Sequence, residues 1–208
     1  MALLHAATLT PSKAEAVATW LGRQAWAPAD LTGLAVLGAY RFDDPDGQVG
    51  LETFLVAVGG RTLQVPLTFR DAPLDGADEH LVTTMEHSVL GTRWAYDAMA
   101  DPAYVAMLAA ATLTGAGQAV EVVRRDGRDH TRPPTVHLTG GGWRGESCPV
   151  DGFGPPTTAD GWTTVTSDAL DLRLAREPRL AEVELGWTLD GTWEGQDTRV
   201  VLALALER

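Results

Sequence analysis

Hydrophobic and polar positions change period several times along this chain, and each change marks an element. Ala14, Val17, Ala18 and Leu21 recur at the spacing of one helical face. Thr10 offers a cap, Pro11 suits a first turn, Ser12 with Glu15 offers a capping pair, and Gly22 can stop the helix. The pattern predicts a helix over 11–21. From residue 31 the period shortens to two, and strands are expected at 31–42, 49–58 and 61–69. In the third, Leu63, Val65, Leu67 and Phe69 point one way. Thr62, Gln64, Pro66 and Thr68 point the other, which predicts one wet face. Pro66 cannot donate to a ladder, so its side of the strand is expected at an edge or bulge. Asp44-Pro45-Asp46-Gly47 and Gly59-Gly60 supply the two reversals of a three-stranded antiparallel meander.

A second helix is expected over 102–113. Asp101 caps it, Pro102 enters its first turn, Tyr104, Val105, Leu108 and Ala111 face inward, and Gly115 ends it. Residues 70–100 stay ambiguous: Leu81, Val82, Met85 and Val89 suit a helix, whereas Trp94 and Tyr96 alternate as in a strand. After residue 117 the pattern predicts strands only, near 119–125, 134–139, 162–167, 169–176, 181–189 and 198–206. Asp-Gly, a dipeptide that reverses strands, occurs at 46–47, 75–76, 126–127, 151–152, 160–161 and 190–191. The stretch from Gly140 to Pro156 is rich in Gly and Pro and reads as a mobile loop.

Composition narrows the function. With 208 residues, one domain or two closely packed halves is expected. Sixteen basic residues against 28 acidic ones give a formal charge of −12. Phosphate backbones and anionic lipid would be repelled, so nucleic-acid and membrane partners are not expected. Lys13 is the only lysine and lies in neither a phosphate-binding loop nor a kinase strand context. The lone Cys148 permits no internal disulfide or thiolate cluster and fits a reducing cytoplasm.

Candidate chemistry is sparse. Glu79-His80 and Glu86-His87 suggest metal ligands, but histidines seven apart sit about 10 Å apart along a helix, or on opposite faces of a strand. No metal or other cofactor is expected. Gly145-Glu146-Ser147-Cys148-Pro149 lacks the closing glycine of a nucleophile elbow. Among seven tryptophans, Trp20 and Trp94 are expected as core anchors, and Trp143 on the glycine-rich loop as a contact residue.

Residues 65–77 (VPLTFRDAPLDGA) and 86–97 (EHSVLGTRWAYD), followed by Asp101-Pro102, resemble the amino-terminal cap domain of actinobacterial maltokinases. WLGRQAW at 20–26 and DPDGQVGLE at 44–52 extend the resemblance over roughly 4–115. It implies a curved antiparallel, cystatin-like sheet packed with two or three helices over 1–116; with the strand pattern after 117, which predicts a β-rich half at 117–208 packed on the same core, the expected class is α+β. In that family the cap precedes a kinase core that phosphorylates maltose with ATP and magnesium, and links trehalose to glycogen synthesis. The core's His-x-Asp-x-His and Asp-Phe-Glu strings do not occur here. The resemblance therefore points to a non-catalytic accessory module that binds a protein partner, a sugar-metabolising enzyme; a maltose- or glucan-binding module is the alternative, and an enzyme with a site of its own ranks last. Glu86, His87, Arg93, Trp94, Tyr96 and Asp97 carry the family motif, as binding residues or as braces of the sheet. Exposed edge strands make a homodimer an expectation as well.

Overall fold

The computed structural model describes residues 2–4, 8–125, 128–142, 151–180 and 185–208. In chain order, β1 (Ala2–Leu4) and β2 (Leu9–Thr10) precede α1 (Lys13–Leu21). Then come β3 (Ala35–Phe42), β4 (Gly50–Val58), β5 (Arg61–Arg70), β6 (Leu81–His87) and β7 (Gly91–Asp97). After α2 (Pro102–Thr114) follow β8 (Glu121–Arg125), β9 (Arg128–Arg132), β10 (Val136–Gly140), β11 (Thr157–Ala159) and β12 (Trp162–Thr166). The chain closes with β13 (Leu170–Arg179), β14 (Trp187–Trp193) and β15 (Gln196–Glu207). The architecture is mostly antiparallel sheet, 49% strand, with a curled half-barrel sheet and two helices. Among the described residues no helix is long and apolar enough to cross a membrane.

The first six-stranded sheet runs β2-β6-β7-β5-β4-β3 and the second runs β10-β14-β15-β13-β12-β11. A small third sheet, β1-β8-β9, contains a parallel pair, Leu3 opposite Val122. The meander β3-β4-β5 forms as its turn residues dictate, with Gly59 and Gly60 at φ 58° and 74° in the β4–β5 reversal. Ser12 caps α1 in a reciprocal box with Glu15, so Pro11 stands just outside the helix. Asp101 caps α2, Pro102 opens it, and Gly115 closes it at φ 71°.

Two apolar clusters hold the layers. Val17, Trp20 and Leu21 of α1 pack on Phe54, Val56, Leu63, Val65 and Leu67 of the first sheet. On that sheet's other face, Tyr40, Leu51 and Leu55 join Tyr104, Leu108 and Leu113 of α2 and Leu172, Leu189 and Leu202 of the second sheet. Helix α2 is thus buried between two sheets, which is why its sequence is apolar nearly all round.

Three expectations are corrected. The polar face of β5 is dry: Gln64 and Thr68 are both fully buried. The second sheet covers it, and Gln64 Nε2 donates to the carbonyls of Ala175 (2.9 Å) and Leu202 (3.0 Å). Pro66 pairs with Thr53 on the β4 side, and its other flank has no ladder partner among the described residues, as expected, since the β7 pairing starts only at Leu67. Of the stretch expected as a mobile loop, Gly140–Pro156, the triplet Gly140–Gly142 is tied to the fold, with Gly142 N donating to Thr112 O (3.1 Å) and Gly141 N to Thr188 O (2.6 Å), and 143–150 lie outside the described residues. Asp190-Gly191 is not a turn but part of β14, at irregularities in its pairing with β15. Of the strand expected at 181–189, residues 181–184 lie outside the described residues, and β14 runs from Trp187.

The ambiguous residues 81–97 form a hairpin. Sheet edges are finished with side chains. Gln118 Nε2 donates to Val136 O (2.7 Å) and its Oε1 accepts from Leu138 N (2.9 Å), so this amide occupies the free edge of β10. Thr135 Oγ1 likewise accepts from Ala39 N (2.9 Å) and donates to Ala39 O (3.0 Å) beside β3.

Candidate functional site

The motif residues fall on one hairpin, β6–β7, but at its two ends. Seven residues of β7 span about 20 Å at strand rise, so the outer pair Glu86 and His87 lies far from the inner pair Tyr96 and Asp97. At the outer end, Thr92 Oγ1 donates to Glu86 Oε1 (2.8 Å) across the ladder. His87 Nδ1 accepts from the backbone N–H groups of Val89 (3.2 Å) and Leu90 (3.1 Å), shaping the turn from its own strand end. Gly91 completes the reversal at φ 74°. The segment before α1 adds a second brace: Ser88 N donates to Thr8 O (3.0 Å), and Thr8 N to Ser88 Oγ (3.0 Å). This leaves Val89 and Leu90 outward, 59% and 47% exposed.

In mid-hairpin, Arg93 and Trp94 are half-buried opposite Met85 and Thr84. At the inner end the residues hold the fold together. Tyr96 is buried and its hydroxyl accepts from Leu74 N (3.0 Å), tying down the loop after β5. Asp97 is buried too. Its carboxylate accepts from Met99 N (3.2 Å) and pairs with Arg176 of β13, whose Nε donates to Thr163 Oγ1 (2.7 Å). The Arg176 guanidinium also lies 5.3 Å from the Trp26 ring centroid.

Periodicity alone did not single out several partners of this end. Arg70 grips the fully buried Asp101 through Nε–Oδ2 (2.6 Å) and Nη2–Oδ1 (2.7 Å), which pushes the arginine pKa upward. Asp101 Oδ1 also accepts from Ala103 N (3.0 Å), so one carboxylate caps α2 and anchors β5. Arg61 on β5 donates to Glu177 on β13 (2.7 Å) and holds that carboxyl below its usual range. The signal that could have found Arg176 is weak: Leu170, Leu172 and Leu174 alternate inward, and Arg176 stands at the next inward position, while nothing in the pattern marks Glu177.

A buried hydroxyl network lies behind them. Thr53 Oγ1 and Tyr104 OH are 2.7 Å apart, and Tyr40 OH donates to Gln64 Oε1 (3.3 Å). Burial pushes the Tyr40 phenol up to about 12, so it stays protonated and donating at neutral pH. Lys13 pairs with Glu52 at the start of α1 and lies 5.3 Å from the Phe69 ring centroid. The lone lysine thus pins a helix start.

Other candidates are dispersed. His80 lies in the turn before β6, within 3.5 Å of Glu79, and His87 is at the strand's far end. Among the described residues no group of three His, Cys, Asp or Glu side chains could hold a metal ion. Trp20 and Trp193 are buried, and Trp26, Trp94, Trp162 and Trp187 are half-buried. Trp143, Ser147 and Cys148 lie outside the described residues.

Residues 20–101, about two fifths of the chain, match the family model of the maltokinase N-terminal cap domain. The match ends on the carboxylate that caps α2 and covers the last two residues of α1, the β3-β4-β5 meander and the β6–β7 hairpin. No curated protein matches the chain.

Proposed function

We propose that this chain is a non-catalytic, cytoplasmic accessory module built on a maltokinase-cap-like sheet, and that it binds a protein partner, an enzyme of maltose, trehalose or glycogen metabolism. The observation that carries this reading is how the matched segment is enclosed. Helix α1 packs on one face of its sheet, and α2 with the second sheet packs on the other. Contact with another molecule is therefore left to the rim. There the matched segment exposes three large apolar side chains, Val36, Val89 and Leu90. The catalytic strings of the sugar-kinase core are missing from the sequence, so the resemblance contributes a scaffold and not a phosphoryl-transfer site.

Carbohydrate binding would draw on tryptophan faces, and each described tryptophan is buried or half-buried. Partner binding therefore ranks ahead of it. The test is a panel of purified maltose-, trehalose- and glycogen-handling enzymes titrated against the immobilised chain. Saturable binding tighter than about 10 μM to one of them supports the reading. Flat responses across the panel retire it.

A further inference from the structure

We propose that the β6–β7 turn is a preorganised docking knob that seats Val89 and Leu90 in an apolar cleft of a protein partner, with arginine or lysine on the cleft's rim. This rests on the accessory reading above and adds the surface and its chemistry. These two exposed aliphatic side chains in succession at a hairpin tip belong to neither apolar cluster of the chain.

What marks the tip is how firmly it is held. His87 Nδ1 accepts two consecutive turn amides, Thr92 and Glu86 bond across the ladder, and Thr8 bonds Ser88 twice from the neighbouring strand's approach. A turn fixed in this way loses little conformational entropy when it docks, so its apolar contacts convert efficiently into affinity. Interfaces concentrate their binding energy in a few side chains seated in well-packed, desolvated pockets and ringed by contacts that exclude water.

Charge selects the occupant. Glu86 is exposed beside the tip, held in place by Thr92, and the whole chain carries −12. A cationic rim on a protein cleft complements both the local carboxylate and the long-range field. An anionic lipid surface, the other home for two exposed aliphatics, is repelled by that field.

The experiment uses the full chain with p-benzoylphenylalanine placed singly as Val89→Bpa, Leu90→Bpa, Val36→Bpa and Val120→Bpa, photolysed in native lysate. Near-ultraviolet circular dichroism checks each fold. Expected is one heterologous adduct from positions 89 and 90 that is absent from 36 and 120. The crosslinked peptide should carry Arg or Lys, and yield should fall about tenfold in a Glu86→Arg background. Glu86→Gln, expected to give an intermediate yield, stands in if the arginine variant does not fold. Equal adducts from all four positions, adducts only with the chain itself, or no change on reversing the Glu86 charge would overturn the proposal. So would co-sedimentation with phosphatidylcholine–phosphatidylglycerol vesicles that Val89→Asp abolishes. The enzyme panel and the crosslink fail separately: a knob that captures a protein of another pathway refutes the metabolic reading and leaves the surface standing.

Discussion

Arg176 and Asp97, 79 positions apart, form an ion pair between the two large sheets, with each residue at most 4% exposed. Arg176 Nη1 has no hydrogen-bond partner among the described residues, so the charge is held by a carboxylate, a threonine hydroxyl and an aromatic face. A buried pair is costly to break because the survivor is left uncompensated, yet replacing both partners is often mild. Asp97→Asn or Arg176→Met alone should therefore cost about 3–5 kcal/mol, and the double variant less than the sum. Urea unfolding of the three variants checks this. Strict additivity would show that the pair is not coupled.

Gly142 is glycine for want of room. A Cβ there would lie 2.5 Å from the carbonyl oxygens of both Leu113 and Thr112 at the end of α2. Gly142→Ala should lower stability by about 1–3 kcal/mol, as overpacking does. Gly154→Ala is the control, since its Cβ would meet only Thr166 O at 3.6 Å, and it should leave the melting temperature nearly unchanged.

Asp190 in β14 has a buried carboxylate oxygen without a partner, and burial raises its pKa above the usual aspartate value. A folded pKa above the unfolded one means that the group favours the native state when protonated. Its contribution is full below about pH 3.8, the unfolded reference, and is lost as pH rises through the folded value. Asp190→Asn should thus raise the melting temperature at pH 7, and the gain should vanish on acidification. Melting curves from pH 3 to 8 decide it; a gain independent of pH would contradict the assignment.

His87 governs the hairpin tip locally. Removing its acceptor with His87→Ala should cost the turn about 1 kcal/mol. Amide exchange at Val89 and Leu90 should accelerate roughly five- to tenfold while global unfolding stays nearly constant. Hydrogen exchange read by NMR measures both. Unchanged protection at these amides would show that strand pairing alone fixes the turn.

The sequence made the locally encoded elements plain. Both helices were legible because their end signals lie within a few residues: Ser12 with Glu15, and Asp101, Pro102 and Gly115. The meander followed from alternation and from glycines at its reversals. Residues 81–89 misled for a definite reason. Val82 and Met85 both face the core, three apart as on a helix, because the pairing with β7 shifts register between Leu81 and Thr83. The wet face expected of β5 failed differently, since Gln64 meets Ala175 and Leu202 only after more than a hundred further residues. The candidate motif was found as a string, but its division into a bonded inner end and an exposed tip was not. Asp97 gains its meaning only from Arg176, and no periodicity joins the two.

Gln118 lends its amide to β10 as though it were one further residue of backbone. A molecule that is half strand carries a standing hazard of growing by templated addition of identical chains into fibrils. By spending one side chain on the outermost ladder, this protein occupies two backbone groups that an incoming strand would need along that border.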